Sequence, residues 1–219
     1  MKGIVVKNTG SWYEVRGEDG MLVPCKIKGK FRLQGIRSTN PIAVGDNVVF
    51  DKNKEGTAFI SAIEARRNYI IRKASNLSKQ SHILAANIDM SVLIVTLHHP
   101  ETSTTFIDRF LASAEAYRIP VVLLFNKSDL FTEQDLDEAN TLSRLYASMD
   151  YPCFIVSVKE RRQLEPLPVL LAGKTTLLAG HSGVGKSALL NYLIPGANVR
   201  TAPIADAHDA GMHTTTFSE

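Results

Sequence analysis

Two cysteines in 219 residues are too few for a disulfide framework, and Cys25 and Cys153 stand far apart with no thiol nearby, so neither belongs to a metal-ligand spacing. Both read as buried thiols. Aromatic residues are sparse at 7%, and no aromatic platform for nucleic-acid bases stands out in the order of residues. Long hydrophobic runs are missing too. The longest, residues 90–97 and 120–125, fall far short of the roughly 18–20 apolar residues of a membrane-spanning helix. The first residues, Met1-Lys-Gly-Ile-Val-Val-Lys7, alternate without the apolar core or small-residue cleavage site of a secretory signal, so a cytoplasmic protein with no membrane partner is expected. No heptad or internal repeat is present, and a monomer is the simplest expectation.

What is present is a 44% hydrophobic chain, long enough for one large or two modest domains. The net charge of +3 conceals an asymmetry. Residues 1–67 carry 12 Lys/Arg against 7 Asp/Glu, whereas residues 68–219 carry 13 against 15. A basic first third suits a polyanion such as RNA, because each phosphate contact releases condensed counterions. An ordinary solvated surface is the plainer alternative.

That first third predicts five short strands, at residues 3–7, 12–16, 21–27, 47–51 and 58–63, separated by turn-forming Asn, Asp and Gly. Five strands of this length fit an all-β barrel of the OB-fold type, whose face and loops bind oligonucleotides. Lys26, Lys28, Lys30, Arg32 and Arg37 cluster around the third strand and the segment after it, as candidate RNA contacts. From about residue 68 the pattern changes to buried strands, at 90–96, 121–125, 153–157 and 176–179, alternating with amphipathic segments. Phe106, Phe110, Leu111 and Ala114 form one helical stripe, and Leu136, Ala139, Leu142 and Leu145 another; both are read as core. The division predicts an OB-fold barrel over 1–67 and an α/β domain over 68–219, with ligands at the carboxyl ends of its strands.

The chemistry concentrates in three short motifs. Gly180-His181-Ser182-Gly183-Val184-Gly185-Lys186-Ser187, followed by Ala188, satisfies G-x-x-x-x-G-K-[ST] between a predicted strand and a predicted helix. Glycines let backbone N–H groups turn inward around a phosphate, and the helix N-terminus adds positive charge. Lys186 is then placed for the β- and γ-phosphates and the Ser187 hydroxyl for Mg²⁺. The base is specified elsewhere. Asn126-Lys127-Ser128-Asp129 matches N-K-x-D: Asp129 can accept from guanine N1–H and the 2-amino group, whereas adenine offers neither donor. Lys127 can lay its stem along the base, and Asn126 can tie this loop to the phosphate loop. A polar turn with Asp129 capping the next helix is the reading N-K-x-D would receive alone. Ser157-Val158-Lys159, 28 residues after Asp129, resembles the S-A-K loop that backs guanine O6. Ordinary G domains begin with the P-loop. Here the order is N-K-S-D, S-V-K, P-loop, which is a circular permutation.

These motifs, with Asn40-Pro-Ile-Ala-Val-Gly-Asp46, Arg67-Asn68, Asn76-Leu-Ser-Lys-Gln80 and Ala86-Asn-Ile-Asp89, give the chain a close resemblance to the ribosome small-subunit-dependent GTPase A family, also called RsgA or YjeQ. The resemblance implies an OB-fold joined to a permuted P-loop G domain that binds GTP, GDP and Mg²⁺, associates with the 30S subunit and its 16S rRNA late in assembly, and hydrolyses GTP faster there. It also implies that Gly211-Met-His213-Thr214-Thr215-Thr216 is switch I: Thr214 or Thr215 supplies a Mg²⁺ ligand, and His213 is a candidate for orienting the attacking water. The chain ends at Glu219 before any D-x-x-G motif, before two further sheet strands and before the family's Zn²⁺-binding C-terminal module. Its residues therefore argue for nucleotide binding more strongly than for unaided hydrolysis. A nucleotide-dependent RNA-binding module without turnover is the alternative of a different class.

Overall fold

The computed structural model describes residues 1–27, 41–53, 57–73, 81–197 and 199. Two-residue alternation builds the first part: β1 (Lys2–Asn8), β2 (Tyr13–Gly17), β3 (Leu22–Ile27), β4 (Asn47–Lys52) and β5 (Ala58–Ile63) close into a barrel in the order β1-β2-β3-β5-β4. Only β3 and β5 pair in parallel. Inward residues Val5, Tyr13, Val15, Val23, Cys25, Phe50 and Ile60 fill the barrel, while their neighbours along each strand face solvent. Burial pushes the Cys25 thiol up to about 11, so it behaves as a small hydrophobe; Cys153 is only partly buried, with its thiol also pushed up to about 11.

One buried ion pair holds the loop entering β4. Asp46 is fully buried, and Arg66, just beyond β5, donates from Nε and Nη2 to its two carboxylate oxygens, each at 2.6 Å. The same Nη2 donates to the Pro41 carbonyl at 2.7 Å, and the Ala43 N–H donates to Asp46 Oδ2 at 2.8 Å. Next to it Gly45 takes φ +88°, and a Cβ there would lie 2.1 Å from the Ala86 carbonyl oxygen. Glycine is required on both counts.

A hairpin that the sequence did not predict, β6 (Tyr69–Lys73) with β7 (Ser81–Ala86), follows the barrel. The Ala86 N–H donates to the Val44 carbonyl and Asn87 Nδ2 to the Gly45 carbonyl, both at 2.9 Å. Through these bonds the hairpin belongs to the first of two compact units, Met1–Ile88, whereas the sequence division falls after residue 67.

The second unit begins at Asp89. Its sheet, in the order β10 (Cys153–Ile155), β9 (Val121–Phe125), β8 (Met90–Val95), β11 (Thr176–Ala179), is parallel throughout. β9 is buried along its whole length, as both-face coverage by helices requires. Val92, Ile94 and Leu124 pack with Leu164, Leu167, Val184 and Leu189, which come from α3 (Pro166–Leu171), α4 (Lys186–Leu193) and the loops before them. Helix α1 (Thr104–Ala116) starts at a Ser103 N-cap, whose hydroxyl accepts from the Phe106 N–H; α2 (Glu133–Ala147) starts at a capping box of Thr132 and Asp135.

The helical stripes need correction. In α1 the buried positions are Ile107, Leu111 and Ala114, with Phe106 and Phe110 at the margin. In α2 they are Ala139 and Tyr146, while Leu136 and Leu145 are exposed. Tyr146 takes the inward position because its ring packs inside while its hydroxyl reaches a surface carboxylate, donating to Asp108 at 2.9 Å, and Leu145 is left outward. Among the described residues no helix is long and apolar enough to cross a membrane.

Candidate functional site

Parallel strands deliver their following loops to one edge of a sheet, so the loops after β9, β10 and β11 come together although they are far apart in sequence. The phosphate loop leaves β11 at Gly180 and enters α4 at Lys186. Gly180, Gly183 and Gly185 all have positive φ, at +139°, +84° and +107°. The path is also crowded. A Cβ on Gly180 would approach the Ile94 carbonyl oxygen to 2.3 Å, and one on Gly185 would approach Asn126 Nδ2 to 2.4 Å. Val184, between them, is fully buried and anchors the loop in the core.

Asn126 joins the three loops. Its Nδ2 donates to the Val184 carbonyl at 2.8 Å, and its Oδ1 accepts from the Val158 N–H at 3.0 Å. A single buried amide therefore connects N-K-S-D to the P-loop on one side and to S-V-K on the other. Ser128 continues the stitching by donating its N–H to the Val156 carbonyl at 3.0 Å.

Asp129 is oriented by Ser157. The Ser157 hydroxyl donates to Asp129 Oδ1 at 2.6 Å and accepts from the Glu160 N–H at 3.1 Å. Lys159 Nζ lies 3.9 Å from the other carboxylate oxygen on a largely exposed side chain. Only 5% of the Asp129 side chain is exposed, so the carboxylate presents a narrow acceptor edge with its orientation fixed. This hydroxyl–carboxylate contact is absent from the sequence reading, which assigned S-V-K only to guanine O6. Spacing motifs do not show side-chain contacts across 28 residues.

Two further lysines of the site are partly buried. Lys186 Nζ donates to the carbonyls of Gly180 at 3.0 Å and His181 at 2.6 Å, coiled back over its own loop. Burial lowers its pKa, and an anionic phosphate beside it would act in the opposite direction. Lys127 adopts a left-handed φ of +70° and donates to the His99 carbonyl; burial lowers its pKa and the Asp129 carboxylate opposes that shift. Phe106 was read as core, yet its ring meets His181 of the phosphate loop, with centroids 4.1 Å apart. Ser187 and Ala188 occupy the first turn of α4, and Ser182 lies in the loop before it. Ser187 is partly buried, and its hydroxyl is a hard oxygen donor of the kind that a small divalent cation takes.

Of the five basic residues expected to contact RNA only Lys26 lies among the described residues, and it is exposed. Lys28, Lys30, Arg32, Arg37 and the switch residues His213, Thr214 and Thr215 lie outside the described residues. Among the described residues no cluster of His, Cys, Asp or Glu could hold a metal ion. The left-handed glycine at the helix entry gives a direct test of the loop. Gly185→Ala is expected to weaken nucleotide binding by about tenfold to a hundredfold, from strain on the order of 1–3 kcal/mol, read by calorimetric titration with GDP. Unchanged affinity would mean that the loop does not grip the phosphates.

Comparison with known proteins agrees with this geometry. The family model described as RsgA GTPase matches residues 63–219, and that of the RsgA N-terminal domain matches residues 2–60. The chain is 62% identical over 219 residues to a Bacteroides fragilis protein named small ribosomal subunit biogenesis GTPase RsgA, covering 100% of this chain and 71% of the relative. A Porphyromonas gingivalis protein of the same name is 57% identical over 221 residues, with 100% and 70% covered. Among solved structures, that of YjeQ from Thermotoga maritima superposes with a TM-score of 0.72 at 38% identity, over 92% of this chain and 67% of the other. YloQ, described as a circularly permuted GTPase, gives 0.68 at 30% identity, over 90% and 66%.

Proposed function

This chain belongs to the RsgA GTPase family, and we propose that it binds GTP at the edge of its permuted sheet, hydrolyses it to GDP and phosphate, and acts in the cytoplasm as a monomeric factor in biogenesis of the small ribosomal subunit. The observation that carries this reading is the Asn126 amide, which brings the base-reading and phosphate-binding loops to one place. Residues 68–219 supply the nucleotide site. Residues 1–67 contact 16S rRNA through a basic surface that includes Lys26 and, in sequence, Lys28, Lys30, Arg32 and Arg37.

Asp129 reads guanine, Lys127 lies along the base, and Ser157, Val158 and Lys159 close the far side. Inward N–H groups of Gly183 to Ser187 cradle the phosphates, and Lys186 exchanges its loop carbonyls for the β- and γ-phosphate oxygens. Ser187 and a switch threonine, Thr214 or Thr215, would hold Mg²⁺, which would supply charge neutralisation at the phosphoryl group. His213 orients the attacking water. Catalysis of this kind rests on positioning and electrostatics, without a covalent intermediate.

Single-turnover GTP hydrolysis, followed with and without purified small subunits, tests the assignment. Acceleration by the subunits is the expected result. Tight GDP binding with no turnover in either condition would instead mark a nucleotide-dependent RNA-binding module.

A further inference from the structure

The outer face of the barrel carries a row that the order of residues conceals. Tyr13 on β2 pairs with Cys25 on β3, which sets their outward neighbours Trp12 and Lys26 side by side, and Lys26 pairs in turn with Phe59 on β5. The Lys26 ammonium lies 4.3 Å from the Trp12 ring centroid. Trp12, the chain's single tryptophan, is 42% exposed, and Phe59 is partly exposed between inward Ala58 and Ile60. An aromatic, a cation and an aromatic thus stand in line across three strands.

The turn presenting the indole is held in place. Thr9 donates to the Trp12 carbonyl from its N–H at 3.0 Å and from its hydroxyl at 3.2 Å, and Asn8 Oδ1 accepts from the Gly10 N–H at 2.8 Å. Nothing in the core requires this indole, because Tyr13 and Phe50 supply the large buried rings.

We infer that Trp12, Lys26 and Phe59 form a stacking platform for single-stranded RNA bases. This deepens the RNA-binding assignment of the barrel and rests on it. Unpaired bases stack on aromatic rings irrespective of sequence, whereas the backbone phosphates need nearby cations. The Lys26 ammonium lies over the indole, so a base stacks on the part of the ring that the ammonium leaves exposed and carries its phosphate towards that cation; one row supplies both interactions. Charge selects this occupant over an apolar protein surface: the platform belongs to the basic third of the chain, with 12 Lys/Arg against 7 Asp/Glu.

The single tryptophan makes the test direct. The whole chain is titrated with a short single-stranded RNA, following tryptophan emission and, in parallel, the anisotropy of a fluorescent label on the RNA. Emission should be quenched along the anisotropy curve. Trp12→Ala should weaken RNA binding about tenfold and Trp12→Phe much less, with barrel folding checked by circular dichroism. Lys26→Ala should lower the slope of log affinity against log salt by about 0.7. If RNA binds while emission stays unchanged and Trp12→Ala keeps full affinity, the platform is wrong and RNA binding stands. Should the wild-type chain fail to bind RNA by anisotropy, the RNA assignment falls and the platform with it. Quenching by RNA-free small-subunit proteins but not by RNA would make the row a protein contact and overturn the inference.

Discussion

Replacing Asp129 with asparagine is expected to weaken GDP binding by about a hundredfold to ten-thousandfold and to admit xanthosine diphosphate. Each guanine donor that meets the carboxylate makes a hydrogen bond to a charged acceptor, on the order of 1.5–3 kcal/mol, and two are lost together. The replacement is also oriented by its surroundings. The Ser157 hydroxyl already accepts from the Glu160 N–H and gives its proton to Asp129 Oδ1. An asparagine carbonyl takes over that position and turns the amide NH₂ towards the base, where it repels the guanine 2-amino group and donates to the 2-oxo group of xanthine. Calorimetric titrations with GDP, xanthosine diphosphate and ATP decide the matter. A variant that retained full GDP affinity would remove Asp129 from base recognition.

The second large effect lies in the barrel. Asp46→Ala leaves the Arg66 guanidinium, whose side chain is only 7% exposed, without its carboxylate, and an unpaired buried charge costs about 3–5 kcal/mol. It also releases the Ala43 N–H. Urea unfolding followed through Trp12 emission should show the loss as a lowered midpoint. Arg66→Lys should be costly as well, because an ammonium cannot serve both carboxylate oxygens and the Pro41 carbonyl from one planar fork. Replacing both partners by apolar residues, Asp46→Leu with Arg66→Met, should recover much of the stability, since no charge then remains to be desolvated. If Asp46→Ala unfolded at the wild-type midpoint, the pair would have no structural weight.

The sequence made much of this architecture legible because alternation and apolar runs report burial directly. The barrel strands fall within a residue or two of expectation, and β9 and β11 coincide with it. Helix α3 is not among the expected elements: Pro166 and Pro168 depress helix propensity, although proline is tolerated in a helix's first turn. The hairpin β6–β7 escaped because its strands flank a polar stretch that reads as a connector, and its stabilising partners, Val44 and Gly45, lie more than 20 residues upstream. The site divides the same way. Phosphate and base loops are local strings and could be read. The Ser157–Asp129 contact and the Phe106–His181 packing are products of tertiary packing, and the row at Trp12 of strand register, none of which a local string encodes.

Strand β8 is paired on one side by β9, its near neighbour in sequence, and on the other by β11; 86 residues separate Ser91 from Leu177, whose carbonyl receives its hydroxyl. During synthesis at about 5–20 residues per second, that second partner arrives roughly 4–17 s after the first strand has left the ribosome. In the interval the nascent chain holds an apolar strand with one open parallel edge, a template for the wrong neighbour. Reordering the G domain therefore places its phosphate-gripping strand after the base-reading strands in the order of synthesis, so that the pocket cannot capture a nucleotide until that edge of β8 is closed.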